Sequence, residues 1–149
     1  MTDRVLLEIK TSRRAEQTPE AMEEILASLT SLKTPLLFFW RRGVAISKEI
    51  AVFDQMVHFY MSVPTKYQTF LESQIVSQYP KTLMIKSKDY LPDVLIDDDL
   101  LLVGQMKLRA GFLYPIRSFR EFKDVDPLSS LLGTLSKTTA EDKIAMQFL

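Results

Sequence analysis

Residues Ser47–Tyr79 read SKEIAVFDQMVHFYMSVPTKYQTFLESQIVSQY. Glu49–Phe53 and Met56–Val63 are two strands separated by Asp54-Gln55, a hairpin turn outside the favoured Asn-Gly and Asp-Gly types. Side chains alternate along a strand, so Val57, Phe59, Met61 and Val63 point one way and Met56, His58, Tyr60 and Ser62 the other. One face is wholly apolar and the other amphipathic, the pattern of a sheet covered by helices on one side. Pro64 then starts a helix in which Tyr67, Phe70, Leu71, Ile75 and Tyr79 share a face, and Pro80 stops it because proline has no N–H for the helical ladder.

The flanks complete the pattern. Val5–Lys10 (VLLEIK) is a short apolar run broken by charges and predicts a strand. Thr18-Pro19-Glu20 reads as a helix N-cap, a proline in the first turn and an acid at the positive end of the dipole. Met22, Ile25, Leu26, Leu29 and Leu32 follow at helical spacing, giving a helix that ends near Leu32. Pro35–Trp40 is a buried-strand candidate interrupted by Arg41-Arg42-Gly43, and Thr82–Ile85 is a strand whose charged flanks, Lys81 and Lys86, suit a sheet edge. The order β-α-β-β-α-β predicts an α+β, ferredoxin-like domain over residues 1–91. That fold hosts many unrelated functions, so function has to be read from sites.

Residues 92–99 (PDVLIDDD) read as an acidic linker, after which the pattern restarts. Leu100–Arg109 predicts a strand, Gly111 a bend and Phe112–Ile116 an extended segment. Asp126-Pro127 opens a helix carrying Leu128, Leu131, Leu132 and Leu135 on one face, and Ile144–Leu149 (IAMQFL) is a strand candidate. Residues 100–149 therefore read as a second, incomplete β-β-α-β unit.

Composition narrows the chemistry. Of 149 residues, 46% are hydrophobic, too rich for a disordered chain, and 19 basic side chains balance 19 acidic ones. A protein that neutralises many phosphates carries a basic excess, so weak or no nucleic-acid binding is expected. The absence of cysteine removes disulfides, thiolate metal sites and thiol nucleophiles, and fits a reducing cytoplasm. A single histidine, His58, excludes His-pair metal sites and most His-based triads. The longest apolar run, Leu36–Trp40, falls far short of the ~20 residues that span a bilayer.

Each chemical motif has a plainer reading. GTLSKTT (Gly133–Thr139) fails the phosphate-loop pattern GxxxxGK[ST], because its glycine positions hold Leu131 and Ser136. Asp97-Asp98-Asp99 lacks the alternating ligands and closing glutamate of a calcium loop, and reads as solvated linker. His58, flanked on its face by Met56 and Tyr60, has no nucleophile or second base in sequence and reads as structural. Glu8, Glu23, Glu24 and Glu49 offer no pair whose separation the sequence fixes. No catalytic, cofactor or metal residue is assigned. The best functional signal is the basic run Lys107, Arg109, Arg117, Arg120 and Lys123, interleaved with Phe112, Tyr114, Phe119 and Phe122. Such alternation can contact single-stranded nucleic acid, but Glu121, Asp124 and Asp126 dilute its charge.

VLLEIK, TPEAMEEILASL, EIAVFDQMVHFYMSVP and YQTFLESQIVSQYP, followed in order by YPIRSFREF, DPLSSLLGTL and IAMQFL, resemble the N-terminal region of HerA/FtsK-like and conjugative type IV secretion ATPases. In that family a membrane-anchored N-terminus leads into an α+β region of ferredoxin-like character, which a RecA-like motor follows. The chain departs from it in having no transmembrane helix before Val5 and no Walker motifs, so no ATPase residue is carried over. The resemblance implies a non-catalytic accessory or assembly domain, cytoplasmic or at the inner face of the membrane. Its partners would be other subunits of a motor or secretion complex, or further copies of itself. The alternative is a stand-alone ligand-binding regulatory domain built on the same sheet.

Overall fold

Asp54 and Gln55 both take positive φ, 52° and 58°, the conformation of a two-residue type I′ turn. The turn joins β4 (Ser47–Phe53) to β5 (Met56–Pro64) in the predicted hairpin. The computed structural model describes residues 3–12, 19–37, 40–91, 101–107 and 127–149. Around the hairpin lie β1 (Arg4–Thr11), β6 (Thr82–Ser87) and β7 (Ile144–Phe148), giving a five-stranded sheet in the order β6-β1-β5-β4-β7. Every pairing in it is antiparallel. The protein is thus α+β, as its sequence predicts.

Opposite residues in an antiparallel pair share a face, so the register sorts the side chains. Leu7 lies opposite Met61, Val5 opposite Val63 and Ile50 opposite Phe59, which places them together on one face. Two helices cover one part of it, α1 (Pro19–Thr30) and α2 (Gln68–Gln78), the latter preceded by a 3-10 turn at Thr65–Tyr67. Leu7, Val63 and Leu71 are fully buried there, with Ile25, Leu29, Met61 and Ile75 around them. Removing that much apolar surface from water supplies ~1.5–3 kcal/mol for each fully buried side chain. A bond from Gln78 Nε2 to Glu24 Oε2 (2.7 Å) ties the two helices together. The third helix, α3 (Pro127–Leu135), sets Leu135 against Ile50 and Val52 of the same face, flanked by Ile144 and Met146 of β7.

Several local expectations change. Pro64 ends β5, and regular α-helix begins only at Gln68 after the 3-10 turn. The Pro35–Trp40 run is divided into β2 (Lys33–Leu37) and β3 (Trp40–Gly43), an antiparallel pair with its own register. Arg41-Arg42-Gly43 therefore belongs to a strand instead of interrupting one. Leu101–Lys107 forms no strand and is exposed throughout. A strand needs a neighbour to take its backbone bonds, and among the described residues this run has none. The acidic linker at 92–99 lies outside the described residues. The pattern at Ile144–Leu149 predicts a strand but not its partner, and that partner is β4, in the sheet built by the first ninety residues.

Candidate functional site

The opposite face of the sheet buries polar groups. Its residues on the central strands are Arg4, Leu6, Glu8 and Lys10 of β1, His58, Tyr60 and Ser62 of β5, and Ser47, Glu49, Ala51 and Phe53 of β4. The segment after β6 folds over them and brings Tyr90, 5% exposed, onto Tyr60 and Ala51.

Glu49, also 5% exposed, is held at both carboxyl oxygens. The Ser47 hydroxyl donates to its Oε1 at 2.6 Å and the Tyr90 hydroxyl to its Oε2 at 2.7 Å. Both carboxyl oxygens thus act as acceptors. The bond fixes the role of Tyr90 as well. Burial, then the hydrogen bond and charge of Glu49, push the Tyr90 hydroxyl far above its ordinary value, so it remains a donor.

Beside this pair runs a stack of rings. Phe53 and His58 lie 4.2 Å apart between centroids and 6° from parallel, and Tyr60 and Tyr90 lie 4.8 Å apart. His58 Nδ1 contacts Glu8 Oε1 at 2.9 Å, while Lys10 Nζ reaches Glu8 Oε2 at 3.2 Å. Burial acts to raise the Glu8 pKa, but the His58 and Lys10 hydrogen bonds and charges together outweigh it and hold the group below its ordinary value. Tyr60 is pushed up by burial and by the charge of Glu8. His58 Nε2 is sealed from solvent and, among the described residues, has no hydrogen-bond partner. The Glu8–His58 pair therefore spans β1 and β5 with its outer nitrogen closed to solvent.

At one end of the face opens a half-open cleft of about 290 Å³. Every strand of the sheet contributes to it: Ser87 from β6, Arg4, Val5 and Leu6 from β1, Ser62 from β5, Glu49 from β4 and Gln147 from β7. The register explains the convergence, since Leu6 lies opposite both Ser62 and Ser87, and Glu49 lies opposite Gln147. Asp89 and Leu91 of the covering segment line it too, and Arg4 supplies its cation. The Arg4 guanidinium is fixed by three bonds to neutral oxygens: Nε to Ser62 Oγ (3.0 Å), Nη2 to Ser62 O (2.7 Å) and Nη1 to Ala45 O (3.1 Å).

Of the residues singled out for nucleic-acid contact, the one that is described does not line this cleft. Lys107 is exposed in the irregular 101–107 stretch, and Arg109, Arg117, Arg120 and Lys123 lie outside the described residues. Gly133 sits inside α3, so GTLSKTT begins within a helix, unlike a phosphate loop that precedes one. Asp97–Asp99 also fall outside the described residues. Among the described residues no three acidic or histidine side chains are grouped to hold a metal ion. No described helix is long and apolar enough to cross a membrane. Sequence reasoning missed Arg4, Ser62, Tyr90 and Gln147. A signal for two of them existed, because Arg4 continues the Leu6-Glu8-Lys10 side of β1 and Ser62 the polar side of β5.

Over residues 1–149 the chain matches DUF8128, a domain of unknown function, and it belongs to that family. No curated protein and no solved structure matches it.

Proposed function

We propose that the chain is a non-catalytic assembly domain of ferredoxin-like arrangement that works through protein–protein contacts. The arrangement is supported by the strand order. With the β2–β3 pair set aside as an insertion, β1, β4, β5 and β6 are the four strands of the β-α-β-β-α-β unit, and they stand in the order fourth, first, third, second. β7 adds a fifth strand beside the second. The observation that carries the functional reading is the pair of outer strands. Among the described residues β6 and β7 each pair on one side only, and they carry exposed Leu83, Ile85 and Phe148. An unpaired strand edge is a ready template for another chain.

The resemblance to conjugative and HerA/FtsK-like ATPases supports the setting: a region ahead of a RecA-like motor, at the inner face of the membrane, holding motor subunits in register. DNA contact would fall mainly to the motor, with at most a minor contribution from Lys107, Arg109, Arg117 and Arg120. Two measurements test this. Reading the coding DNA beyond the Leu149 codon should find an open frame that reaches GxxxxGK[ST], and a stop codon there overturns the motor setting. Light scattering over a range of concentrations should show association that Ile85→Lys weakens. A monomer at every concentration overturns self-assembly.

A second reading, a ligand-binding regulatory domain, is favoured by the cleft that all five strands line. A ligand-dependent rise in Tm is its expected signature.

A further inference from the structure

We infer that the cleft at the Arg4 end of the polar face binds a small zwitterion, of the α-amino acid class, with its carboxylate on Arg4 and its ammonium toward Glu49 and Asp89. This rests on the second reading above, that the cleft takes a ligand, and gives that ligand a chemistry.

Three features carry it. The first is a cation held ready but not neutralised. Three of the five guanidinium N–H groups of Arg4 are spent on uncharged oxygens, which fix its plane. Among the described residues no carboxylate lies within ion-pair distance of it. The remaining N–H groups are those of Nη1 and Nη2, the edge that engages a carboxylate.

The second feature is acid on the same lining. Glu49 is buried with two hydroxyl donors and, among the described residues, no cationic partner. Buried charge is costly unless paired, and a ligand ammonium would pair it. Asp89 has Oδ1 held by the Leu91 amide at 3.0 Å, which orients its carboxyl beside the cleft. A bare anion would meet these two acids, and a bare cation would meet Arg4. A molecule carrying both charges meets each with its opposite.

The third feature is size. A volume of about 290 Å³ stands at the bottom of the range for small-molecule sites, too small for a nucleotide and suited to a compact ligand. Leu6 and Leu91 give an apolar wall for a short side chain, while Ser62, Ser87 and Gln147 offer further polar atoms.

The test is titration of the isotopically labelled chain with glycine, L-alanine, L-serine and L-glutamine, followed by amide resonances and Tm. Propionate and ethylamine, alanine without its ammonium and without its carboxylate, serve as the two halves. An amino acid is expected to shift the amides of Leu6, Ser62, Ser87 and Gln147 and to raise Tm with concentration, while neither half does so at the same level. Arg4→Gln and Asp89→Asn are expected to weaken binding roughly tenfold or more each. Asp89→Asn keeps the oxygen that accepts from Leu91, so its loss of binding does not reduce to misfolding. Propionate binding as well as alanine, or no amino acid binding at all, overturns the inference. A neutral fragment library then separates the two claims. Fragments that shift the same amides leave the ligand-binding reading standing without the zwitterion, and no shift from any fragment ends both.

Discussion

The two faces of the central sheet are buried by different physics. Under α1, α2 and α3, side chains such as Leu7, Val63, Leu71 and Val52 are excluded from water without any directional partner. On the other face Glu49, Tyr90 and Tyr60 are just as inaccessible, yet Glu49 and Tyr90 are held by specific bonds. The first face tolerates changes of shape only at the cost of cavities. On the second, a substitution is costly when it strips a buried polar group of the partner it now has. The comparison also separates stability from recognition, since the face with oriented polar groups is the one that opens into a cleft.

Four substitutions would break or sharpen this contrast. Leu71→Ala, which empties a fully buried site on the helix face, is expected to cost about 3 kcal/mol in urea unfolding. A loss below about 1 kcal/mol would show that the helix face is not close-packed.

Tyr90→Phe keeps the ring stack but removes the donor to Glu49, and should cost about 2 kcal/mol. It should also change the alkaline limb. The folded Tyr90 value lies above the ordinary 10.0, so its contribution is full below pH 10 and is lost as pH rises through the raised value. The Phe variant lacks that loss, and an unchanged alkaline slope would count against the Glu49–Tyr90 bond.

Glu8→Gln addresses the acid side, at about 1.5 kcal/mol near neutral pH. The folded Glu8 value lies below the ordinary 4.5, so its contribution is present above pH 4.5 and lost as pH falls through the lowered value. Stability-against-pH curves of wild type and variant should converge at the acid end. Curves that stay parallel down to pH 2 would sink the assignment.

The smallest effect belongs to neither face. Gln55→Gly relieves a positive φ of 58° in the hairpin turn and should stabilise by about 0.5 kcal/mol. A destabilised variant would mean that the Gln55 side chain has a role the turn geometry does not reveal.

How much of this was legible follows from distance along the chain. The alternation of Val57, Phe59, Met61 and Val63 against His58, Tyr60 and Ser62 is local, and it separated the two faces correctly. The pairing of Leu71 with Ile75 on one helix face is local too, and both are buried. The polar layer was not legible, because the bonds that close it join residues far apart, Glu8 with His58 and Glu49 with Tyr90, although Ser47–Glu49 and Glu8–Lys10 are local. A glutamate in a strand carries no mark of the tyrosine that will cover it. The polar side of β5 looked like an ordinary solvated face, since nothing in its own sequence announces the segment folding over it. The partner of IAMQFL was hidden for the same reason, as hydrophobic pattern identifies a strand and not its neighbour.

That last strand has a consequence for how the molecule forms. β7 joins β4 across roughly two thirds of the chain, with Val52 opposite Ile144 and Lys48 opposite Phe148. Closing so long a loop is entropically costly and slow compared with making the β4–β5 hairpin. During synthesis the β1, β4, β5 and β6 strands can therefore meet while β4 is still an open border carrying Ile50 and Val52. In that interval the nascent chain presents an adhesive edge, and the arrival of β7 with the leucines of α3 covers it.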